Sequence, residues 1–85
     1  MNPKRLLQRI RSGALNNVSF NDLTRLLVAL GFELMRIEGD HHIYARPDLR
    51  EQPNLQPDRN GQAKRYQVRQ LQRLVEKYNL DLEEE

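Results

Sequence analysis

The 85-residue sequence predicts a small α+β sandwich, an antiparallel sheet with helices on one face. Three observations carry that expectation. Three segments have apolar residues at helical spacing, and between the second and third lie two β-favouring runs joined by a tight-turn signal. A stretch rich in Pro, Asn and Gln then separates those runs from the last helix. The order is helix–strand–strand–strand–helix, with an extra helix at the N-terminus.

Pro3 to Ile10 starts the chain as a helix, because Pro is tolerated in a first turn and Leu6, Leu7 and Ile10 fall on one face. Ser12-Gly13 and Asn16-Asn17 break it. Ser19-Phe20-Asn21-Asp22 has the form of a capping box, and Leu23, Leu26, Leu27 and Leu30 follow at i, i+3, i+4 and i+7. Gly31 stands where a left-handed cap belongs, so the spacing predicts a helix over 20–30. Phe32 to Glu38 reads as a strand, with Phe32, Leu34 and Arg36 on one face and Glu33, Met35 and Ile37 on the other. Glu38-Gly39-Asp40 signals a tight turn, and His41 to Arg46 returns as the second strand, ended by Pro47. Asn54-Leu55-Gln56 is the candidate third strand. The Asn60-Gly61 turn leads into a helix from Tyr66 to Tyr78, with Val68, Leu71, Val75 and Tyr78 on its apolar face. Arg65, Arg69 and Arg73 make a basic ridge on another face, and Asn79 is the stop. We read one domain over 1–85: a helical extension at 1–18, a core at 19–80, and an acidic, frayed tail at 81–85. Double-stranded-RNA-binding domains share this topology, although a shared fold does not give a function.

Composition narrows the function classes. The chain has no Cys, which removes disulfides and thiolate metal sites, and no apolar run approaches the ~20 residues needed to span a bilayer. The N-terminus is amphipathic and does not read as a signal peptide, so the expectation is a soluble cytoplasmic protein. Lys and Arg total 14 against 12 acids, for a net charge of +2. Four of those acids, Asp81, Glu83, Glu84 and Glu85, lie in the last five residues, and the rest of the chain carries 14 bases against 8 acids. Eleven of the bases are Arg, whose planar fork fits phosphate and stacks on nucleobases. An Arg-rich body suits a nucleic acid or an acidic protein partner.

Two histidines, adjacent in Gly39-Asp40-His41-His42-Ile43-Tyr44, are the acid–base candidates. On a strand they point to opposite faces, so one of them at most meets a given substrate, and the pair does not chelate one ion well. We therefore expect no metal and no cofactor. RNA asks little of an enzyme, since its own 2′-hydroxyl attacks the neighbouring phosphate. One His near a cation supplies a workable minimum. The cations and aromatic that we take as candidate RNA contacts are Lys64, Arg65, Arg69, Arg73 and Arg46, with Tyr44 as a stacking surface.

Leu30-Gly31-Phe32, Gly39-Asp40-His41-His42-Ile43-Tyr44 and Pro47-Asp48 together resemble the pattern of HicA-type toxins, in which a helix ends in Gly plus an aromatic and a Gly-Ser-His-x-x-aromatic turn opens a strand. Asn54-Leu55-Gln56-Pro57, Asn60 to Lys64 and Tyr66 to Gln70 are similar to a longer subgroup of that family. The resemblance covers residues 2 to 80. It implies the toxin of a type II toxin–antitoxin pair, a metal-independent, ribosome-independent mRNA endonuclease (an mRNA interferase) held in check by a HicB-type antitoxin. It puts the catalytic His at His41, with Gly39 and Asp40 as the supporting turn. Asp40 departs from the family's Ser. A hydroxyl there would hydrogen-bond a phosphate, whereas a carboxylate repels one. Two alternatives stand beside the nuclease: a non-catalytic RNA-binding module, and an antitoxin-binding interaction protein of the same fold.

Overall fold

The computed structural model describes residues 1–82. Glu83 to Glu85, most of the expected acidic tail, lie outside the described residues. Helix α1 spans Pro3–Arg11, capped by Asn2, whose side-chain oxygen accepts from the Arg5 amide at 2.8 Å. Its Leu6, Leu7 and Ile10 are buried. Helix α2 spans Phe20–Ala29, and the Ser19 hydroxyl accepts from the Asp22 amide at 3.0 Å, one half of the expected capping box; the reciprocal bond from the Ser19 amide to the Asp22 carboxylate is not formed among the described residues. Gly31 follows at φ +93°, a left-handed conformation that costs glycine nothing. Helix α3 spans Arg65–Tyr78 and closes on Asn79 at φ +50°.

Strands β1 (Glu33–Glu38), β2 (His41–Ala45) and β3 (Asn54–Leu55) form one antiparallel sheet in the order β1-β2-β3. Between β1 and β2 the turn is two residues long. Gly39 takes φ +60° and Asp40 does not go positive, the pattern of a type II′ hairpin.

The facing expected for β1 requires a correction. Leu34 pairs with Tyr44 and Arg36 with Ile43, so Met35 is an extra residue, a β-bulge. The bulge shifts the alternation. Leu34 and Ile37 end on one face, opposite Tyr44 and His42, while Glu33, Arg36 and Glu38 share the other, opposite Ala45, Ile43 and His41. All six residues of β1 are exposed, whereas Ile43 and Tyr44 of β2 and Leu55 of β3 are buried.

Tyr44 and Leu55 join Leu23, Leu26, Leu27, Leu30, Phe32, Val68, Leu71 and Val75 in the core between sheet and helices. Among the described residues, the other face of the sheet carries no helix. The outer edge of β3 is sealed by an unusual device. Gln67 of α3, only 2% exposed, donates to the Asn54 carbonyl at 3.3 Å and accepts from the Gln56 amide at 3.1 Å. Its carboxamide satisfies the backbone groups that a fourth strand would have paired. Two further ties hold the long β2–β3 connection. Arg46 donates to the Leu30 carbonyl at 2.9 Å and to both oxygens of Asp48, at 2.8 and 3.2 Å. Glu51 accepts from the Tyr78 hydroxyl at 2.6 Å and from the Lys77 ammonium at 2.9 Å. These donors hold the Glu51 carboxyl down at about 2, the Tyr78 hydroxyl contributing more than Lys77. Among the described residues, no helix is long and apolar enough to cross a membrane.

Candidate active site

His41 and His42 leave the same hairpin in opposite directions. The ring of His42 turns toward the helices, edge-on to Phe20 with centroids 4.9 Å apart, and its Nδ1–H donates to the Asp40 carbonyl at 3.0 Å. His41 is exposed on the helix-free face. Its Nδ1 lies 3.0 Å from the side-chain oxygen of Asn54, and its Nε2 has no partner among the described residues. Asn54 stands opposite Ile43 in the register and so shares that face, diagonal to His41.

The neighbours of His41 follow from strand pairing. Glu38 sits directly across from it on β1 and is ion-paired with Arg36 on the same face. One further step along the β2–β3 register puts Gln56 across from His41 on the other side. The Lys64 ammonium donates to the Gln56 side chain at 3.2 Å. The result is a polar strip, Arg36–Glu38, His41–Asn54 and Gln56–Lys64, in which the base lies on β2 between a cation on β1 and one at the N-cap of α3. Such a strip can exchange a proton at His41 Nε2 while placing positive charge near a phosphate.

Of the residues the sequence singled out, Lys64 is the cation that reaches the His41 end of the sheet. Arg65, Arg69 and Arg73 are exposed and form no ion pair among the described residues, but they lie on the helical layer. Arg65 lines a polar hollow with Asn16, Asn17, Asp58 and Gln62, and Arg73 a more apolar cleft with Pro53, Leu55 and Leu74. The fork of Arg46 is occupied by Leu30 and Asp48. Tyr44 is buried against the helices; loss of solvent raises the pKa of its phenol, against a smaller opposing effect of the nearby Thr24 hydroxyl. An exposed aromatic near the site is instead Tyr66, at the start of α3. Gly39 and Asp40 are both exposed. A Cβ on Gly39 would meet nothing within 4 Å, so its requirement is the positive φ of the turn alone. Asn54, Gln56, Glu38 and Arg36 were not among the sequence candidates. Only strand register brings them to His41, and register follows from the turn and the bulge rather than from any local motif.

The model of the HicA toxin of bacterial toxin–antitoxin systems matches residues 20–76. That is well over half of the chain, from the start of α2 through most of α3. The chain belongs to the HicA toxin family. It is therefore a toxin of a toxin–antitoxin system, with an antitoxin as its partner. The match contains every residue of the polar strip and leaves out α1, whose Leu6, Leu7 and Ile10 complete the core of this HicA chain. Neither the curated proteins nor the solved structures give a match.

Proposed function

We propose that this HicA-family toxin is an mRNA endonuclease whose general acid–base group is His41. The observation that carries the reading is the divergence of the two histidines. His42 is tied to its own turn and to Phe20, whereas His41 stands exposed beside two cations with Nε2 open. Membership of a toxin family adds the biological class. The reaction needs only what the strip offers. His41 Nε2 takes the proton of a ribose 2′-hydroxyl, and the 2′-oxygen attacks the adjacent phosphorus. The P–O5′ bond breaks, leaving a 2′,3′-cyclic phosphate and a 5′-hydroxyl whose proton is supplied by the imidazolium. Lys64 and Arg36 stabilise the charge that builds on the phosphorane oxygens. Arg65, Arg69 and Arg73 hold flanking phosphates, and Tyr66 offers a face for a splayed base. A HicB-type antitoxin inhibits by covering the same surface.

The test is cleavage of RNA by purified protein in EDTA. His41→Ala lowers cleavage by on the order of 100-fold or more, with the amide spectrum of the fold unchanged, and His42→Ala leaves most of it. Growth arrest that persists with His41→Ala would overturn the reading. Salt-dependent RNA binding without cleavage would point to a non-catalytic RNA-binding module, with Asp40 in place of the family's Ser as the reason.

A further inference from the structure

We propose that Asn54 is the positioning residue of His41: its side-chain oxygen fixes the neutral imidazole as the Nδ1–H tautomer and thereby presents an Nε2 lone pair to the substrate. This rests on the reading of His41 as the acid–base group. A carboxamide oxygen only accepts, so at 3.0 Å the His41 Nδ1 is the donor. Neutral imidazole carries one N–H, and placing it on Nδ1 leaves Nε2 as the base. Unassisted imidazole in water favours the opposite tautomer, with the proton on Nε2, which would deprive the exposed nitrogen of its lone pair.

Asn54 is held firmly enough to impose that choice. Its backbone pairs with Ile43 on one side, and on the other its carbonyl accepts from the buried Gln67, whose remaining oxygen takes the Gln56 amide. Both halves of the Gln67 carboxamide are thus spent on β3, and the strand that carries Asn54 is anchored to α3 at the point where α3 begins. The choice of amide over acid also has a consequence. A carboxylate at position 54 would orient the ring equally well, but it would add negative charge on a face that already holds Glu38 and that must admit a phosphate. The neutral acceptor sets the tautomer without that repulsion.

The test uses the full chain and two independent readouts. Long-range ¹H–¹⁵N spectra assign the His41 tautomer, and RNA cleavage gives kcat and KM, for wild type, Asn54→Leu and Asn54→Asp. Asn54 is exposed, so both variants are expected to keep the amide spectrum of the fold. Wild type shows the proton on Nδ1. Asn54→Leu moves it to Nε2 and lowers kcat about tenfold with KM nearly unchanged, and Asn54→Asp restores the Nδ1–H form. A wild-type His41 already protonated at Nε2, or an Asn54→Leu variant that keeps the Nδ1–H form, overturns the proposal. So does full cleavage by Asn54→Leu once the tautomer has changed. A tautomer that responds to Asn54 in a wild-type protein that cuts no RNA upholds the Asn54–His41 lock and overturns the nuclease reading instead.

Discussion

The two faces of the β1–β2 hairpin are built from neighbouring residues and have opposite fates. On the helix-facing side His42 meets Phe20 and Tyr44 is 4% exposed within the core. On the open side His41, Glu38, Arg36 and Asn54 stand in solvent with their polar atoms paired to one another rather than to the interior. The buried side chains of the first face, Tyr44 above all, set stability, because removing them opens space in a packed core. His41, Glu38, Arg36 and Asn54 on the second face are exposed, so their removal changes chemistry and leaves the fold standing. The lesson is that the alternation of a single strand, His41-His42-Ile43-Tyr44, divides the labour of the molecule.

That division can be broken from either side. Tyr44→Ala removes a buried ring and is expected to cost about 3 kcal/mol, measured by urea unfolding; a cost below about 1 kcal/mol would mean that the helix-facing side is not the structural one. His41→Ala is expected to change unfolding by no more than about 0.5 kcal/mol while abolishing cleavage, so the same pair of measurements separates the faces. Gln67→Ala sharpens the comparison at the seam. It strips the partners from the Asn54 carbonyl and the Gln56 amide, and should destabilise by about 1–3 kcal/mol while also loosening His41, seen as a fall in cleavage. Glu51 gives the smallest effect and lies away from both faces. Its folded value of about 2 is below the ordinary 4.5, so its contribution to stability is complete above 4.5 and is lost as pH falls toward 2. Melting temperature followed from pH 6 to pH 2 should drop less steeply in Glu51→Gln than in wild type. Equal slopes would show that the Tyr78 and Lys77 contacts do not hold the carboxylate in solution.

Much of the architecture was legible in the sequence because its determinants are local. Ser19 caps α2, Gly31 ends it, the Leu23–Leu30 stripe faces the core and Asn79 stops α3, each within a few residues of the signal that announces it. The phase of β1 was not legible. Glu-Leu-Met-Arg-Ile-Glu alternates acceptably with or without a bulge, and only pairing against β2 decides that Met35 is the extra residue. Gln67 was not legible either, since a Gln between Tyr66 and Val68 on an Arg-rich helix reads as surface until β3 is laid beside it. The acid–base candidate could be named from its motif, but the company it keeps could not. Asn54 is 13 residues from His41, and nothing in the intervening chain encodes their meeting except the folded register. Arg46 and Tyr44 show the converse. Their chemistry suggested a ligand, and the fold directs them to Leu30, Asp48 and Thr24.

The Gln67 seal also fixes the direction in which this sheet can be extended. With the outer edge of β3 satisfied by a side chain, the edge left open to a strand from another polypeptide is that of β1, whose backbone groups facing away from β2 are unpaired among the described residues. Leu34 and Ile37 would lie under such an added strand and Arg36 and Glu38 above it, so the protein presents an incoming chain with one apolar rail and one charged rail. A strand added there would extend the sheet away from Lys64 and leave Gln67 in place against β3.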